Sequence, residues 1–358
     1  MVRSLVAHRR WLCIITGCLF LTPSCSDGQH DSSDPLRTAT FDGQGHRAFY
    51  FTFCNSGDMI AAGSSADRFV ALWKWRSSTA PQALSGNGDR TCDIETNRND
   101  SMLAICSWDH TLNLWKLPSG KFYKSIATGS NSPREARFLR DGKTVITSED
   151  TKPTGAVIRR WQIDSEQNES LLTLPTETGV SFAVSPDDKT ILLTTRQGVE
   201  IRDLNKPDLL RKLLAHPRDI ATWLATTPEF TKAATCNGNT IKIWDLQRYQ
   251  ELSEFAPDAA GNQRFCGVAY CPVDDTLLAA VVFIGDTEGS QVSLWDTGSH
   301  RKVVDLITTQ AGFNQIGFSP DGYSLAAADS NGKIHVWNVR SFVHDGKNKG
   351  STKAGGSH

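Results

Sequence analysis

Short segments in which polar and apolar residues alternate recur along the chain, and most of them end on tryptophan. Alternation with a period of two predicts β-strands that bury one face, because successive side chains of a strand point to opposite sides. The segments end at Trp73, Trp115, Trp161, Arg202, Trp244, Trp295 and Trp337. These positions lie 42, 46, 41, 42, 51 and 42 residues apart. A period of this size indicates seven copies of one supersecondary unit.

Turn signals precede the middle strand of several copies. They read "SPDG" (319–322) and "SPDD" (185–188), with "RDG" (140–142) and "NSGD" (55–58) as looser versions. Proline presets φ and glycine accepts a positive φ, so these sequences predict tight hairpins. A Gly-His pair at Gly45-His46 stands 27 residues before Trp73, and Ala215-His216 stands 28 residues before Trp244.

Together, the terminal Trp-Asp, the turn and the Gly-His pair resemble the WD-repeat family over about residues 36–340. The resemblance implies an all-β fold, a seven-bladed WD-repeat β-propeller with four strands in each blade. A closed ring needs a latch, and no fourth strand follows Trp337. We therefore expect about Leu36 to Thr40 to complete the last blade, so that an N-terminal strand closes the ring. The 51-residue interval contains "FIGDTEGSQ" (283–291), which we expect to be an extended connection between the second and third strands of its blade.

The start of the chain differs from the repeats. A basic segment is followed by an apolar run from Trp11 to Leu21 and a break at Pro23, the pattern of a secretory signal peptide over residues 1–24. "LTPSC" resembles the lipobox of bacterial lipoproteins, which implies lipid attachment at Cys25 and a membrane anchor. Attachment at Cys18, in "ITGC", and plain cleavage or a retained anchor are the alternatives. We expect an exported protein of the cell envelope, a membrane-anchored lipoprotein, or alternatively a secreted or periplasmic soluble one.

The remaining segments divide the mature chain. Residues 25–35 are polar and predict a tether, residues 36–341 hold the propeller, and the Gly-, Lys- and Ser-rich residues 342–358 predict a disordered tail. Hydrophobic residues make up 39% of the chain, which excludes disorder of the whole. The formal net charge is −1 without a long basic run, so we expect no nucleic-acid partner.

The resemblance assigns a structural hydrogen-bonded tetrad to the first blade. Its members are His46, Ser64 (or Ser65), Asp67 and Trp73. Serine, histidine and aspartate could also suggest a hydrolase, but no G-x-S-x-G turn is present to expose a nucleophile. We therefore expect no catalytic residues.

Six cysteines follow Cys25, and an exported protein can oxidise such residues. Pairing Asn97 with Ser101 across the hairpin sets Cys92 opposite Cys106. Opposed residues on antiparallel strands come close enough for a disulfide, so this bridge is one expectation and buried free thiols are the other. No Cys-x-x-Cys or paired histidine spacing indicates a metal, and no cofactor is expected.

The loop "SWDHT" (107–111) carries Trp108 and His110 between two strands of the second blade, and Arg68 lies in the equivalent loop of the first. In the family that the chain resembles, these loops open on the face where partners dock. Tryptophan and arginine are enriched at binding hot spots, so Arg68, Trp108 and His110 are candidates to bind a partner. The alternative is that Trp108 packs on the neighbouring blade.

The sequence favours a non-enzymatic protein-protein interaction scaffold, a monomeric propeller that presents its loops to protein partners. The alternative is a propeller enzyme or small-ligand sensor that uses the central channel. That alternative requires inward polar residues from several blades, and no His, Asp or Arg recurs at one offset of the repeat.

Overall fold

The computed structural model describes residues 36–344, except 44, 47, 130, 176, 178–179, 197, 207, 214–222, 257–262 and 286–288. The signal peptide, the tether and Cys25 lie outside the described residues. Within them, 28 strands form seven antiparallel sheets of four strands, the blades of a propeller. No helix in the described part of the chain is long and apolar enough to cross a bilayer.

The strands of the first four blades follow one another along the chain after β1 (Arg37–Asp42). Blade 1 contains β2 (Ala48–Phe53), β3 (Ile60–Ser64), β4 (Val70–Trp73) and β5 (Gln82–Ala83). Blade 2 contains β6 (Thr91–Thr96), β7 (Met102–Ser107), β8 (Thr111–Lys116) and β9 (Lys121–Ala127). Blade 3 contains β10 (Ser132–Phe138), β11 (Thr144–Asp150), β12 (Ala156–Gln162) and β13 (Asn168–Leu174). Blade 4 contains β14 (Phe182–Val184), β15 (Thr190–Thr195), β16 (Gly198–Asp203) and β17 (Leu209–Leu213).

The last three blades complete the ring. Blade 5 contains β18 (Trp223–Thr226), β19 (Lys232–Cys236), β20 (Ile241–Asp245) and β21 (Gln250–Phe255). Blade 6 contains β22 (Gln263–Cys271), β23 (Asp274–Ile284), β24 (Ser290–Asp296) and β25 (Arg301–Thr309). Blade 7 contains β26 (Phe313–Phe318), β27 (Ser324–Asp329), β28 (Lys333–Asn338) and β1. The first strands of neighbouring blades contact one another, which places them around the axis of the ring.

The two ends of the propeller meet in blade 7. β1 pairs antiparallel with β28, with Arg37 opposite Trp337 and Phe41 opposite Ile334. The amide of Asn338 also donates to the carbonyl oxygen of Leu36 at 2.8 Å. The predicted closure by an N-terminal strand is therefore confirmed, and so is the seven-bladed fold.

The core is divided among the blade interfaces. Seven clusters of buried apolar residues each combine side chains from two neighbouring blades. Between blades 7 and 1, for example, Phe41, Ile334 and Val336 pack against Phe51 and Trp73. Each sheet thus buries its apolar faces only against its neighbours, which is why the repeat requires a closed ring.

In six of the seven blades the turn after the first strand contains a residue with a left-handed backbone. In blade 7 this residue is Gly322, with φ +74°, and a Cβ there would collide with Cγ2 of Val273. Blades 2 and 4 carry Asp100 and Asp188 instead, with φ values of 51° and 58°. Each carboxylate accepts backbone amides from the turn of the preceding blade, Asn55 for Asp100 at 2.8 Å and Arg140 for Asp188 at 3.0 Å. The bond to the neighbouring blade offsets the cost of the left-handed conformation.

Two segment boundaries differ from the sequence-based expectation. In blade 6 the connection between the second and third strands covers only residues 285–289, because β23 has 11 residues and continues to Ile284. At the other end, a 3-10 turn at Arg340–Phe342 follows β28, and the described chain continues to His344. Val343 packs into the core between blades 6 and 7, and the amide of His344 donates to Asp274 at 2.7 Å. These contacts place 342–344 on the propeller, while residues 345–358 lie outside the described part.

Candidate protein-interaction face

One end of the ring carries the connection from the second to the third strand of every blade, together with the connection from each fourth strand to the next blade. We call this end the Trp108 face. Arg68 lies in the β3–β4 connection, and Trp108 and His110 lie in the β7–β8 connection. The antiparallel order of the strands therefore brings all three candidates to the same end.

Trp108 is exposed at the tip of its loop, with 37% of its surface accessible. Its amide donates to the carbonyl oxygen of Arg90 at 3.0 Å, which fixes the loop on the start of β6. The Cζ atom of Arg90 lies 4.8 Å from the centroid of the Trp108 ring, and that of Arg134 lies 4.7 Å from it. Trp108 is thus an exposed aromatic ring contacted by two guanidinium groups, in the geometry of a cation–π interaction.

Neither arginine was a candidate from the sequence. Arg90 directly precedes β6, the first strand of blade 2. A comparison with the residues that precede the first strands of the other blades could have identified it. Arg134 lies on β10 of the next blade. Only the order of the blades in space brings it to Trp108.

His110 holds its loop in place. It adopts φ 66°, and its carbonyl oxygen accepts both the amide and the hydroxyl of Thr128 at 2.8 Å. Its Nδ1 atom lies 2.9 Å from the carbonyl oxygen of Asn131 and 3.2 Å from the Ser132 hydroxyl. The ring is engaged within blade 2 and at the start of blade 3, so His110 positions the loop that presents Trp108.

Arg68 is exposed and does not contact Trp108 directly. It lines an open depression of about 590 Å³ between blades 1 and 2. The depression also contains Asp67, Phe69 and Asp89. One of its lining residues, Asp89, directly precedes Arg90 in the sequence.

Only part of the predicted tetrad forms in blade 1. His46 Nδ1 lies 2.8 Å from Oδ2 of Asp67, and the His46 ring stacks on Phe69 at 4.2 Å. The Ser64 hydroxyl accepts the amide of Asp67 at 3.1 Å, and Trp73 packs on Phe41 at a centroid distance of 5.1 Å. Partial burial disfavours ionisation of Asp67, but hydrogen bonds from His46, the Phe69 amide and Ser64 outweigh it and lower the pKa of Asp67. The His46–Asp67 pair is half-exposed, so it stabilises the surface loop more than the core.

A more deeply buried histidine–aspartate pair occurs in blade 7, where the sequence did not suggest one. His335 Nε2 lies 2.9 Å from Oδ2 of Asp329, with side chains 7% and 5% exposed. Burial opposes ionisation, but the hydrogen bond from His335 and backbone amides lower the pKa of Asp329. The available signal was a histidine two residues before Trp337, on the buried face of the same strand.

The innermost strands of blades 2 and 3 carry a charged cluster. Asp93 accepts the amide of Ala136 at 2.9 Å and a guanidinium hydrogen bond from Arg137 at 2.8 Å. Arg137 also lies 3.5 Å from Glu135, and burial raises the pKa of Glu135. Burial likewise raises the pKa of Glu95 to about 7, opposed by Arg137 and aided by Asp93 and Glu135.

This cluster is confined to one side of the inner wall. Strand pairing places one residue of each blade in the same ring around the axis. These residues are Thr52, Glu95, Arg137, Ala183, Ala225, Ala269 and Gly317. In this ring of positions, charged groups therefore come from two adjacent blades only. Within the described residues no group of three or more His, Cys, Asp or Glu could hold a metal ion.

The expected Cys92–Cys106 disulfide is wrong, since both cysteines are buried free thiols. Asn97 Oδ1 accepts the amides of Ser101 and Met102, both at 2.9 Å, which lengthens the hairpin turn. The register consequently differs by one residue from the predicted one. Asp93 lies opposite Cys106, and Cys92 forms a bulge beside it. Both side chains remain on the face that packs against blade 3, but the bulge takes Cys92 out of the position directly opposite Cys106.

Comparison with known proteins supports the same architecture. Residues 79–116 and 302–338 match the WD40 family model, described as "WD domain, G-beta repeat". The WD repeat-containing protein 26 homolog of Arabidopsis thaliana is 18% identical over 295 residues, which cover 81% of this chain and 48% of that protein. Protein NEDD1 of Bos taurus is 21% identical over 286 residues, which cover 80% of this chain and 36% of that protein. The chain spans less than half the length of these two curated relatives.

A solved structure gives the same result for the fold. The β-propeller domain of Cps50 (Swd1) from Myceliophteria thermophila has a TM-score of 0.72 and 16% identity, covering 85% of this chain and 99% of that one. At this identity the likeness concerns the fold alone. The repeat matches, the relatives and the seven four-stranded blades together support a WD-repeat β-propeller.

Proposed function

We propose that this protein is a non-enzymatic interaction scaffold that binds a protein partner through the Trp108 face. The observation that carries the proposal is the exposed Trp108 ring, held between two blades by Arg90 and Arg134. Exposed tryptophan and arginine side chains on a rigid support are typical of binding hot spots. WD-repeat relatives in general fit a role in protein interaction.

The inner wall supports the alternative function, a channel enzyme or sensor, less well. Its charged groups bind one another and the backbone, as Asp93 does with Arg137 and the amide of Ala136. The equivalent positions of blades 4 to 6 are alanines. A ligand site in the central channel would require functional groups from more of the blades.

The proposal includes export and attachment. We infer from the N-terminal pattern that the propeller is a lipoprotein of the cell envelope, linked to the membrane through Cys25. Labelling of the cells with radioactive palmitate tests this, because Cys25→Ala should lose the label and Cys18→Ala should keep it. Label that depends on Cys18, or on neither residue, would contradict attachment at Cys25.

Site-specific photo-crosslinking tests the Trp108 face. A photoreactive amino acid is placed at Arg68 or Lys152, both exposed on this face, and at Lys121, the exposed first residue of β9 at the opposite end, as a control. In the cells that make the protein, we expect one discrete adduct from positions 68 and 152, absent from 121 and lost with Trp108→Ala. Adducts from position 121 alone, or adducts that do not depend on Trp108, would contradict the proposed face.

A further inference from the structure

We propose that the Trp108 face binds an acidic polypeptide segment of its partner, with a carboxylate held by Arg90 and an adjacent apolar side chain against the Trp108 ring. This inference rests on the proposed function and specifies the chemistry of the partner. It follows from how the charges around Trp108 are distributed.

The two guanidinium groups near the ring have unequal counterions. Arg134 Nε lies 2.6 Å from Oδ2 of Asp150, and these side chains are 35% and 20% exposed. Arg90 Nε lies 3.7 Å from Oδ1 of Asp89, and these side chains are 42% and 45% exposed. A longer and more exposed contact is weaker and more strongly screened by water. Arg90 therefore keeps hydrogen-bond donors and positive charge for a further anion.

The ring holds Arg90 in position for that anion. Stacking on Trp108 restricts the guanidinium while its edge stays accessible, which reduces the conformational entropy lost on binding. A planar guanidinium matches a carboxylate through two parallel hydrogen bonds. The exposed part of Trp108 provides apolar surface beside this group, which suits an aliphatic or aromatic residue next to the acidic one.

The surroundings add positive potential. Arg68, Lys152 and Arg196 are exposed on the Trp108 face in blades 1, 3 and 4. Several carboxylates of the same region already accept hydrogen bonds. These are Asp67 from the Phe69 amide at 2.8 Å, Asp109 from the Thr111 hydroxyl at 2.5 Å and Glu177 from the Arg196 amide at 2.9 Å. These hydrogen bonds hold the carboxylates on their own loops without cancelling their charge, so it is the exposed cations together with Arg90 that favour an acidic partner segment.

A polypeptide fits this face better than a nucleic acid. The whole chain has a formal net charge of −1, so a broad cationic surface for a phosphate backbone is not expected. The positive charge is instead local and adjoins one aromatic ring. This arrangement suits one or two carboxylates with an apolar neighbour.

Binding of a defined peptide tests the inference. The probe is a short fluorescein-labelled peptide rich in glutamate with one central leucine, titrated with the full-length protein and followed by fluorescence anisotropy. Comparison peptides replace every glutamate by glutamine or by lysine. We expect saturable binding of the glutamate peptide only, weakened as sodium chloride is raised.

Variants locate the binding site. Arg90→Gln and Trp108→Ala should each weaken binding about thirtyfold, the size of a hot-spot loss. Arg211→Gln is the matched control, because Arg211 lies over the Tyr249 ring at 5.2 Å on the outer rim. It should leave the affinity unchanged. Thermal unfolding of each variant identifies any loss of fold, and the salt dependence of the unaltered protein tests the same charge chemistry without a substitution.

Several results would overturn the inference. The glutamine peptide could bind as tightly as the glutamate peptide, or the glutamate peptide could fail to bind. Arg211→Gln could weaken binding as much as Arg90→Gln does, or a single-stranded oligothymidylate could bind more tightly than the glutamate peptide. If one of these results occurs but crosslinks from positions 68 and 152 are still found, the proposed interaction face is supported and only the acidic character of the partner is wrong. Crosslinks from position 121 alone would instead contradict the proposed function.

Discussion

His335 Nε2 lies 2.9 Å from Oδ2 of Asp329 inside blade 7, and His335 belongs to β28, the strand that pairs with the ring-closing β1. His335 is opposite Thr40 of β1, and its ring stacks on Trp337 at a centroid distance of 5.9 Å. Nδ1 of His335 has no hydrogen-bond partner among the described residues. Blade 7 thus contains both the pairing of the chain ends and a buried polar pair. Substitutions that disrupt either one should strongly lower the stability of the protein.

Asp329→Asn should destabilise the propeller by about 3 kcal/mol at pH 7, because it leaves a buried histidine without its ionised partner. The pKa of Asp329 is lowered in the folded state. The stability from this group is therefore present at neutral pH and is lost as the pH falls below about 4, toward the folded-state pKa. Urea unfolding at pH 7 and pH 3 should show a large difference between parent and variant at pH 7 and a smaller one at pH 3.

Asp203→Asn is the control for this prediction. Hydrogen bonds from the amides of Lys206 and Asn205 also lower the pKa of Asp203, but this residue ends β16, next to a surface turn. It should affect stability much less. Equal losses for the two variants would show that the buried pair in blade 7 has no special role.

Phe41→Ala should weaken the closure of the ring by about 4 kcal/mol, since it opens a cavity between blades 7 and 1. Phe41 is 1% exposed and packs on Trp73, whereas Thr40 on the same strand is exposed. Thr40→Ala is the matched control and should change the free energy of unfolding little. Deleting the chain through Asp42 removes β1 entirely and should broaden the thermal transition. A transition as cooperative as that of the full chain would argue against the latch.

The repeat was readable from the sequence because it depends on local chemistry. A terminal tryptophan and a turn with glycine at a positive φ each follow from one short segment, as in Gly322 and Trp337. The sequence after Trp337 carries no strand pattern, and this was enough to predict the role of β1. These features repeat, so several copies agree where any one copy is ambiguous.

The site was less predictable because it depends on contacts between blades and on local irregularities. Arg134 reaches Trp108 from the next blade, and nothing within the 107–111 loop indicates it. The hairpin register near Cys92 changes by one residue because the Asn97 side chain binds two amides across the turn. Blade 7 pairs His335 with Asp329 on adjacent strands, a variation on the arrangement expected in blade 1.

Asp100→Ala should destabilise the protein by about 2 kcal/mol, because alanine keeps the left-handed backbone but loses the hydrogen bonds that offset its cost. Asp100 has φ 51°, and its carboxylate accepts the amides of Asn55 at 2.8 Å and Ser56 at 2.7 Å. Asp100→Gly removes the strain but also the bonds between blades, so it should lose about half as much. Asp58→Ala, at an exposed carboxylate near the same turn, is the control and should have little effect in chemical denaturation. A more stable Asp100→Gly variant would show that strain outweighs the bonds.

Glu95→Gln should make the protein more stable than the parent at pH 8 and leave it nearly unchanged at pH 4. Burial raises the pKa of Glu95 to about 7, opposed by Arg137 and supported by Asp93 and Glu135. In this case the folded state binds a proton that the unfolded chain has already released, so its stability falls as the pH rises from about 4.5 through 7. Glutamine stays neutral and removes that slope. Urea unfolding between pH 4 and pH 8 measures the difference, with Glu169→Gln on the outer strand β13 as the control. A parent slope that persists in Glu95→Gln, or that disappears equally in Glu169→Gln, would place the responsible group elsewhere than on the inner wall.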